Sequence, residues 1–347
     1  MFFCSVMDIN QRLELIKRNT QEIVTEEELN NLIKTKKQPC AYIGMACTGK
    51  IHIGYFVPII KIRDFLKAGF RFKILIADLH AHLDDRKAPF ELLDKRVKYY
   101  KEVLSAMLKS LKVDTKNLEF VKGSDFQLEK DYVRDMLRLS AWNTLTRCRR
   151  AAAEVVRFGD EPKLSGFIYP IMQALDEEYL KVDCQYGGID QRKLLMFARE
   201  NLPKLGYKPR IEIMTPMLPG LKGEKMSASV EGSKIDILAP KEEIKSKINK
   251  AFCSEGETEN NGVLAFFKYV IMVLKEDNKE KLVIKRPSKW GGNLEFSSYE
   301  ELEKVFVSKK LHPMDLKAAL VEELDRLVEP VRKELKGKEK LVKEAYS

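Results

Sequence analysis

The chain has 347 residues, 44% hydrophobic and 33% charged, with 62 basic against 52 acidic side chains and a net charge of +10. That length allows two domains, since single cores stop growing near about 250–300 residues, and no apolar run approaches the roughly 18 residues that span a membrane. The basic excess is spread along the chain, so nucleic acid is the first candidate partner, while six scattered cysteines without a C-x-x-C pair argue against a disulfide framework or a zinc site.

The N-terminal "MFFCSVMDIN" lacks a basic n-region and a small-residue cleavage pattern, and Asp8 and "TEEE" follow it, so a cytoplasmic chain is expected. Residues 1–38 read as polar helix, with Leu29 and Ile33 on one face. "CAYIGMA" (40–46) predicts a strand. "HIGYFVPIIKIRDFLKAG" carries apolar residues at 56, 59, 60, 62, 65 and 66 and stops at Gly69, the pattern of a helix beginning near Tyr55. "FKILIADL" is a short apolar strand of the buried parallel type, "FELLDKRVKYYKEVLSAMLKSL" a long amphipathic helix, and "LEFVKGSDF" another strand and turn. Strand alternating with helix predicts an α/β, Rossmann-like, doubly wound parallel sheet with ligands at the carboxyl ends of its strands. After about residue 230 the segments are mainly helical. Ser298 and Glu301 form a capping-box pattern, Pro313 suits a first helical position, and Leu316, Leu320, Leu324, Leu327, Val331 and Leu335 make one stripe. The second domain is therefore mostly α.

"GMACTGK" (44–50) has the G-x-x-x-x-G-K spacing of a P-loop, but the next residue is Ile51, which cannot ligate Mg²⁺ as Ser or Thr would. The alternative places His52 and Gly54 at the start of the following helix. There, free N–H groups and the helix dipole favour a triphosphate, Gly54 allows close approach, and His52 donates a hydrogen bond. Far along the chain, "KMSAS" (225–229) puts Lys225 in a small-residue loop suited to clamping a leaving pyrophosphate. His80 and His82 form an H-x-H without further ligands at metal spacing, and are expected to be packing and pocket residues. Tyr169, Gln173 and Asp176 are spaced i, i+4 and i+7, on one face of a helix that Pro170 can open.

The His-x-Gly turn after the first strand and the Lys-Met-Ser loop after the last are the paired signature of class I aminoacyl-tRNA synthetases. With "ADLHAHLD", "YPIMQALDEEYLKVD", "GGIDQRK", "KWGGN" and "LHPMDLK", the chain resembles the tyrosyl-tRNA synthetases of the archaeal and eukaryotic cytosolic type, leaning eukaryotic. The resemblance implies three parts. Residues 1–38 would be a helical segment packed on a catalytic domain of residues 39–229, which carries a dimerisation insertion at about 125–165. Residues 230–347 would form an α-helical anticodon-binding domain.

For the site, the resemblance implies that Tyr169, Gln173 and Gln191 hold the ammonium and backbone of L-tyrosine, and that Tyr42 and Asp176 grip its hydroxyl. ATP would meet Gly44, Gly54, His52, Asp190, Lys225, Met226 and Ser227, with His52 and Lys225 carrying catalysis and Mg²⁺ arriving with the nucleotide. Arg150 and Arg192 would meet the acceptor stem of tRNA(Tyr), and Trp290 and Asp315 its anticodon, in a homodimer. Arg147 and Arg149 are assigned to surface charge, and Trp290 could also be core. Two positions depart from the general class I pattern. Tyr55 stands where a second histidine is usual, and Ala228 where a second lysine is usual; Lys50 and Lys222 are candidates for the missing cation. Tryptophanyl-tRNA synthetase is the nearest alternative, and Tyr42 with Asp176 argues against it because indole has no hydroxyl. A non-catalytic RNA-binding relative and a small-molecule nucleotidyltransferase are the others.

Overall fold

The computed structural model describes residues 7–84, 87–221 and 234–346. Its six-stranded sheet has the order β1-β6-β5-β2-β3-β4. The strands are β1 (Glu22–Val24), β2 (Cys40–Met45), β3 (Arg71–Ile76), β4 (Leu118–Lys122), β5 (Cys184–Gly188) and β6 (Ile211–Thr215). Every neighbouring pair is parallel except β1 with β6. The doubly wound α/β architecture expected from the alternation is present. Residues 9–35 depart from the expected polar helix: helices Ile9–Lys17 and Glu26–Thr35 flank β1, and Thr25 with Glu28 closes a capping box that restarts the second helix.

The two faces of the sheet bury different residues, as the period of two requires. Ala41, Cys184, Tyr186 and Ile213 join the main core with Phe56, Phe65 and Phe72. Cys40, Tyr42 and Leu75 turn the other way, packing with Leu180 and Val182. The helix Leu164–Tyr179 lies near this second face. Pro170 sits inside that helix and does not open it, because six residues precede it. The carbonyl its ring would crowd belongs to Gly166, four residues earlier.

The C-terminal helices Lys241–Asn249, Pro313–Glu334 and Glu339–Tyr346 fold back onto the first half, and Leu316, Leu320, Leu324 and Val331 share one continuous core with the sheet. Pro313 does occupy the first helical position. Ser298 caps its helix by accepting from the Glu301 N–H, but the Glu301 carboxylate accepts from the Ser297 N–H at 2.7 Å, so the reciprocal arm lands one residue early.

An ionic joint ties the two halves. Asp277 pairs with Arg18 at 2.7 Å, with Lys67 at 3.0 Å and with Arg63, while Arg18 also pairs with Asp64. Burial pushes the Asp277 carboxyl up, but hydrogen bonds from Arg18 and Lys67 and the charge of Arg63 hold it down at about 2. Asp277→Ala leaves the buried Arg63 and the partly buried Arg18 guanidiniums without their shared acceptor. It should destabilise the chain by about 2 kcal/mol, below the usual value for a fully buried pair because solvent reaches Arg18 and Lys67. A urea-unfolding midpoint equal to that of the parent would refute this.

Candidate active site

The chain leaves β2 toward β3 and β4 on one side and reaches β5 and β6 on the other, so the sheet reverses between β2 and β5. Ligands of doubly wound sheets bind at such a switch point. A cavity of about 220 Å³ lies there, lined by Tyr42 and Gly44 of β2, Gln185 to Gly188 of β5, Gln191, and Tyr169, Gln173 and Asp176 of the helix Leu164–Tyr179. Residues scattered over 150 positions of sequence are thus brought to one hollow. Gln173 Nε2 donates to Gln191 Oε1 at 3.1 Å, joining helix to strand end. A Cβ at Gly188 would lie 2.5 Å from Asp190 Oδ1 and 3.0 Å from Met217 Sδ, so a larger residue there would push both side chains aside.

At the cavity's inner end Asp176 is almost wholly buried. Its Oδ1 accepts from Gln127 Nε2 at 2.7 Å and from Tyr132 Oη at 2.9 Å. Burial raises the carboxyl to about 8 despite these two bonds. His80 Nε2 lies 3.9 Å from Asp176 Oδ2, but burial lowers that imidazole to about 4. The contact is therefore between a neutral ring and the carboxyl, not an ion pair. The same ring meets Tyr169 edge to face at 4.7 Å, which makes His80 the pocket residue the sequence reading expected. No sequence signal marks Gln127 and Tyr132: they lie on helices 124–127 and 130–142, with no spacing relation to Asp176.

Tyr42 is 1% exposed, and its hydroxyl has no hydrogen-bond partner among the described residues. Its register partners are Gln185 on β5 and, one strand further, Glu212 on β6, so the three side chains leave the same face. Glu212 and Glu177 are fully buried, and their carboxylate oxygens are unpartnered among the described residues. Burial pushes both well above the usual carboxylate range, with Arg210 and Arg199 opposing the shift. Polar groups are thus packed behind the hydroxyl end of the cavity.

The His-x-Gly turn is a short 3₁₀ segment, Ile53–Tyr55, running into the helix Phe56–Lys67. His52 caps it: Nδ1 accepts from the Gly54 N–H at 3.2 Å. Burial first, and the nearby Lys234 charge second, lower this imidazole to about 4. With Nδ1 accepting, the proton of the neutral ring sits on Nε2, a ready donor. Tyr55 turns behind the turn, 3.2 Å from Tyr100 Oη, while Tyr100 and Tyr346 both donate to the Gly49 carbonyl. The tyrosine at the second-histidine position therefore braces the loop from its inner side. Lys50 is exposed. Lys222, Lys225, Met226, Ser227 and Ala228 lie outside the described residues.

Arg150 lines a groove of about 380 Å³ with Arg147, Arg192 and Lys193. Arg192 is held by Glu22 through two bonds, at 2.7 and 2.8 Å. Arg147, assigned to plain surface charge, lines that groove too and pairs with Glu200. Trp290 is 65% exposed, which removes the core reading, and Lys289 stands over its ring. Asp315 lies in the first turn of the helix Pro313–Glu334.

Residues 34–329 match the family described as tRNA synthetases class I (W and Y). The chain is 50% identical over 97% of its length to a cytoplasmic tyrosine–tRNA ligase of Gallus gallus, of which it covers 63%. It is 45% identical to a tyrosine–tRNA ligase of Haloarcula marismortui, with 98% of each chain covered. A solved tyrosyl-tRNA synthetase from Archaeoglobus fulgidus, complexed with L-tyrosine, superimposes with a TM-score of 0.88 at 45% identity, covering 94% of this chain and 100% of its own.

Proposed function

The chain belongs to the tyrosine branch of the class I tRNA synthetases, and from that premise we propose that it is a tyrosine–tRNA ligase. It spans 63% of the length of the vertebrate relatives from Gallus gallus and Danio rerio. The observation that carries the reading is the Tyr42 hydroxyl, buried and unpartnered among the described residues, at a cavity it shares with Asp176. A site built this way discriminates in favour of an amino acid that brings a hydroxyl, because an apolar ring would leave the Tyr42 hydroxyl unpaired and give Asp176 no further donor. Tryptophan has no such hydroxyl.

In this reading Gln173 and Gln191, tied together at 3.1 Å, hold the substrate's ammonium end with Tyr169. The carboxylate of tyrosine, already an anion, attacks the α-phosphorus of ATP in line, pyrophosphate leaves, and no general base is required. His52 Nε2–H and Lys225 meet the phosphates, with Met226 and Ser227 carrying the loop. Gly44 and Gly54 allow backbone approach, and Asp190 meets the ribose. The protein contributes position and charge stabilisation. Mg²⁺ enters as part of the nucleotide substrate. The 3′-terminal adenosine of tRNA(Tyr) then attacks the adenylate, with Arg150 and Arg192 at the acceptor stem and Trp290 and Asp315 at the anticodon. An exposed indole suits stacking on an unpaired base.

The insertion at about 125–165 is the proposed homodimer face. Leu128, Leu137, Trp142 and Leu145 are all exposed along it, an apolar set that a partner subunit would cover. No described helix is long and apolar enough to cross a membrane, and a cytoplasmic site of action fits the relatives' names. The test is ATP–pyrophosphate exchange with tyrosine, with tryptophan and with neither, followed by charging of tRNA(Tyr). Tyrosine-dependent exchange and charging are expected, and exchange driven by tryptophan alone would overturn the proposal.

A further inference from the structure

We propose that Lys234 is a phosphate-binding residue, supplying beside His52 the second positive charge that the loop lacks at Ala228. The inference rests on the reading of this turn as the ATP site. Two backbone bonds fix the placement: Ile53 N donates to Ile235 O at 3.0 Å, and Ile237 N to Ile51 O at 3.2 Å. They flank an antiparallel bridge between His52 and Asp236. Lys234 directly precedes Ile235, so its backbone is held next to the turn by the bond from the Ile53 N–H.

The electrostatics agree with this placement. Lys234 is the charge that, after burial, lowers the His52 imidazole. Its own ammonium is half-buried and pushed down by desolvation, and no ion pair to it occurs among the described residues. The carboxylate nearest in sequence, Asp236, accepts from the Leu238 N–H at 2.8 Å. Lys247 Nζ donates to the Lys234 carbonyl at 2.7 Å, so the backbone beneath the cation is held. A half-desolvated ammonium whose charge reaches a neutral donor imidazole is matched by a multiply charged oxyanion. A polyphosphate of ATP has that chemistry. Lys50, by contrast, is exposed on the loop before the turn.

The test uses Lys234→Gln and Lys234→Arg in the full chain. ATP–pyrophosphate exchange is measured against ATP and against tyrosine, with equilibrium binding of inorganic pyrophosphate and thermal melting alongside. Lys234→Gln is expected to lower kcat/KM for ATP about tenfold and weaken pyrophosphate binding to a similar degree, the worth of one charge-assisted hydrogen bond. The KM for tyrosine and the melting midpoint should stay at parental values, and Lys234→Arg should restore most of the loss. Exchange and pyrophosphate binding within twofold of the parent in Lys234→Gln would overturn the proposal. So would a loss that arginine does not rescue and that follows a lowered melting midpoint, since Lys234 would then only hold the turn. If the parent shows no tyrosine-dependent exchange, the ligase reading falls while pyrophosphate binding still decides the role of Lys234.

Discussion

Asp176→Ala is expected to reduce the preference for tyrosine over phenylalanine, as a ratio of kcat/KM in ATP–pyrophosphate exchange, by about 100-fold. In the parent, phenylalanine would leave the Tyr42 hydroxyl without a partner in a dry site and would offer nothing to Asp176 Oδ2, Oδ1 being taken by Gln127 and Tyr132. Each such group costs about 1–3 kcal/mol, and 1.4 kcal/mol is roughly tenfold. Alanine removes one of the two penalties and also deprives tyrosine of its partner, so the ratio falls from both sides. The substitution strands Gln127 Nε2 and Tyr132 Oη as well, although Tyr132 also reaches the Met172 carbonyl at 2.8 Å. Tyr42→Phe separates the two causes. It leaves the Asp176 network whole and removes a buried hydroxyl that has no partner among the described residues. Discrimination should then fall about tenfold while stability is unchanged or rises. Parental discrimination in both variants would refute the assignment of this end of the cavity.

That contrast shows what the sequence made legible and what it did not. Tyr169, Gln173 and Asp176 could be placed on one face because a helix fixes the direction of residues spaced i, i+4 and i+7. Tyr42 could be placed because it lies in a clearly apolar strand. β1, with three residues, and β5, "CQYGG", were not legible as strands: each is short, and β5 ends in two glycines that weaken any periodic signal. The side chains of Asp190, Gln191 and Met217 crowd the two glycines, a tertiary neighbourhood invisible to local propensity. Gln127 and Tyr132 escaped for a similar reason. Their tie to Asp176 spans 49 and 44 positions, respectively, and nothing in "SDFQLEKDYV" marks them. Glu177 and Glu212 read as ordinary polar residues, and their complete burial emerges only from the packing of helix against sheet.

His52→Ala carries the other large expectation: a fall in tyrosine-dependent exchange of about 100- to 1,000-fold in kcat, with little change in the KM for tyrosine. Removing one preorganised donor from a site of developing charge has about that effect, and the cavity residues proposed to meet tyrosine lie on other elements. The pH dependence tests the protonation state as well. Burial and Lys234 lower the imidazole to about 4. Above pH 5.5, then, it is neutral and donates through Nε2, because Nδ1 is occupied by the Gly54 N–H. The ratio of parental to variant rates should be constant from pH 5.5 to 8, whatever other groups do to both enzymes. An imidazole near its ordinary value of about 6.5 would gain a charge below that pH, strengthen its hold on a phosphate, and raise the ratio on the acid side. A ratio that climbs as the pH falls from 7 to 5.5 would therefore show that His52 acts as a cation and that Lys234 is not the only positive charge at the turn. A flat ratio assigns the charge to lysine and the directed hydrogen bond to histidine.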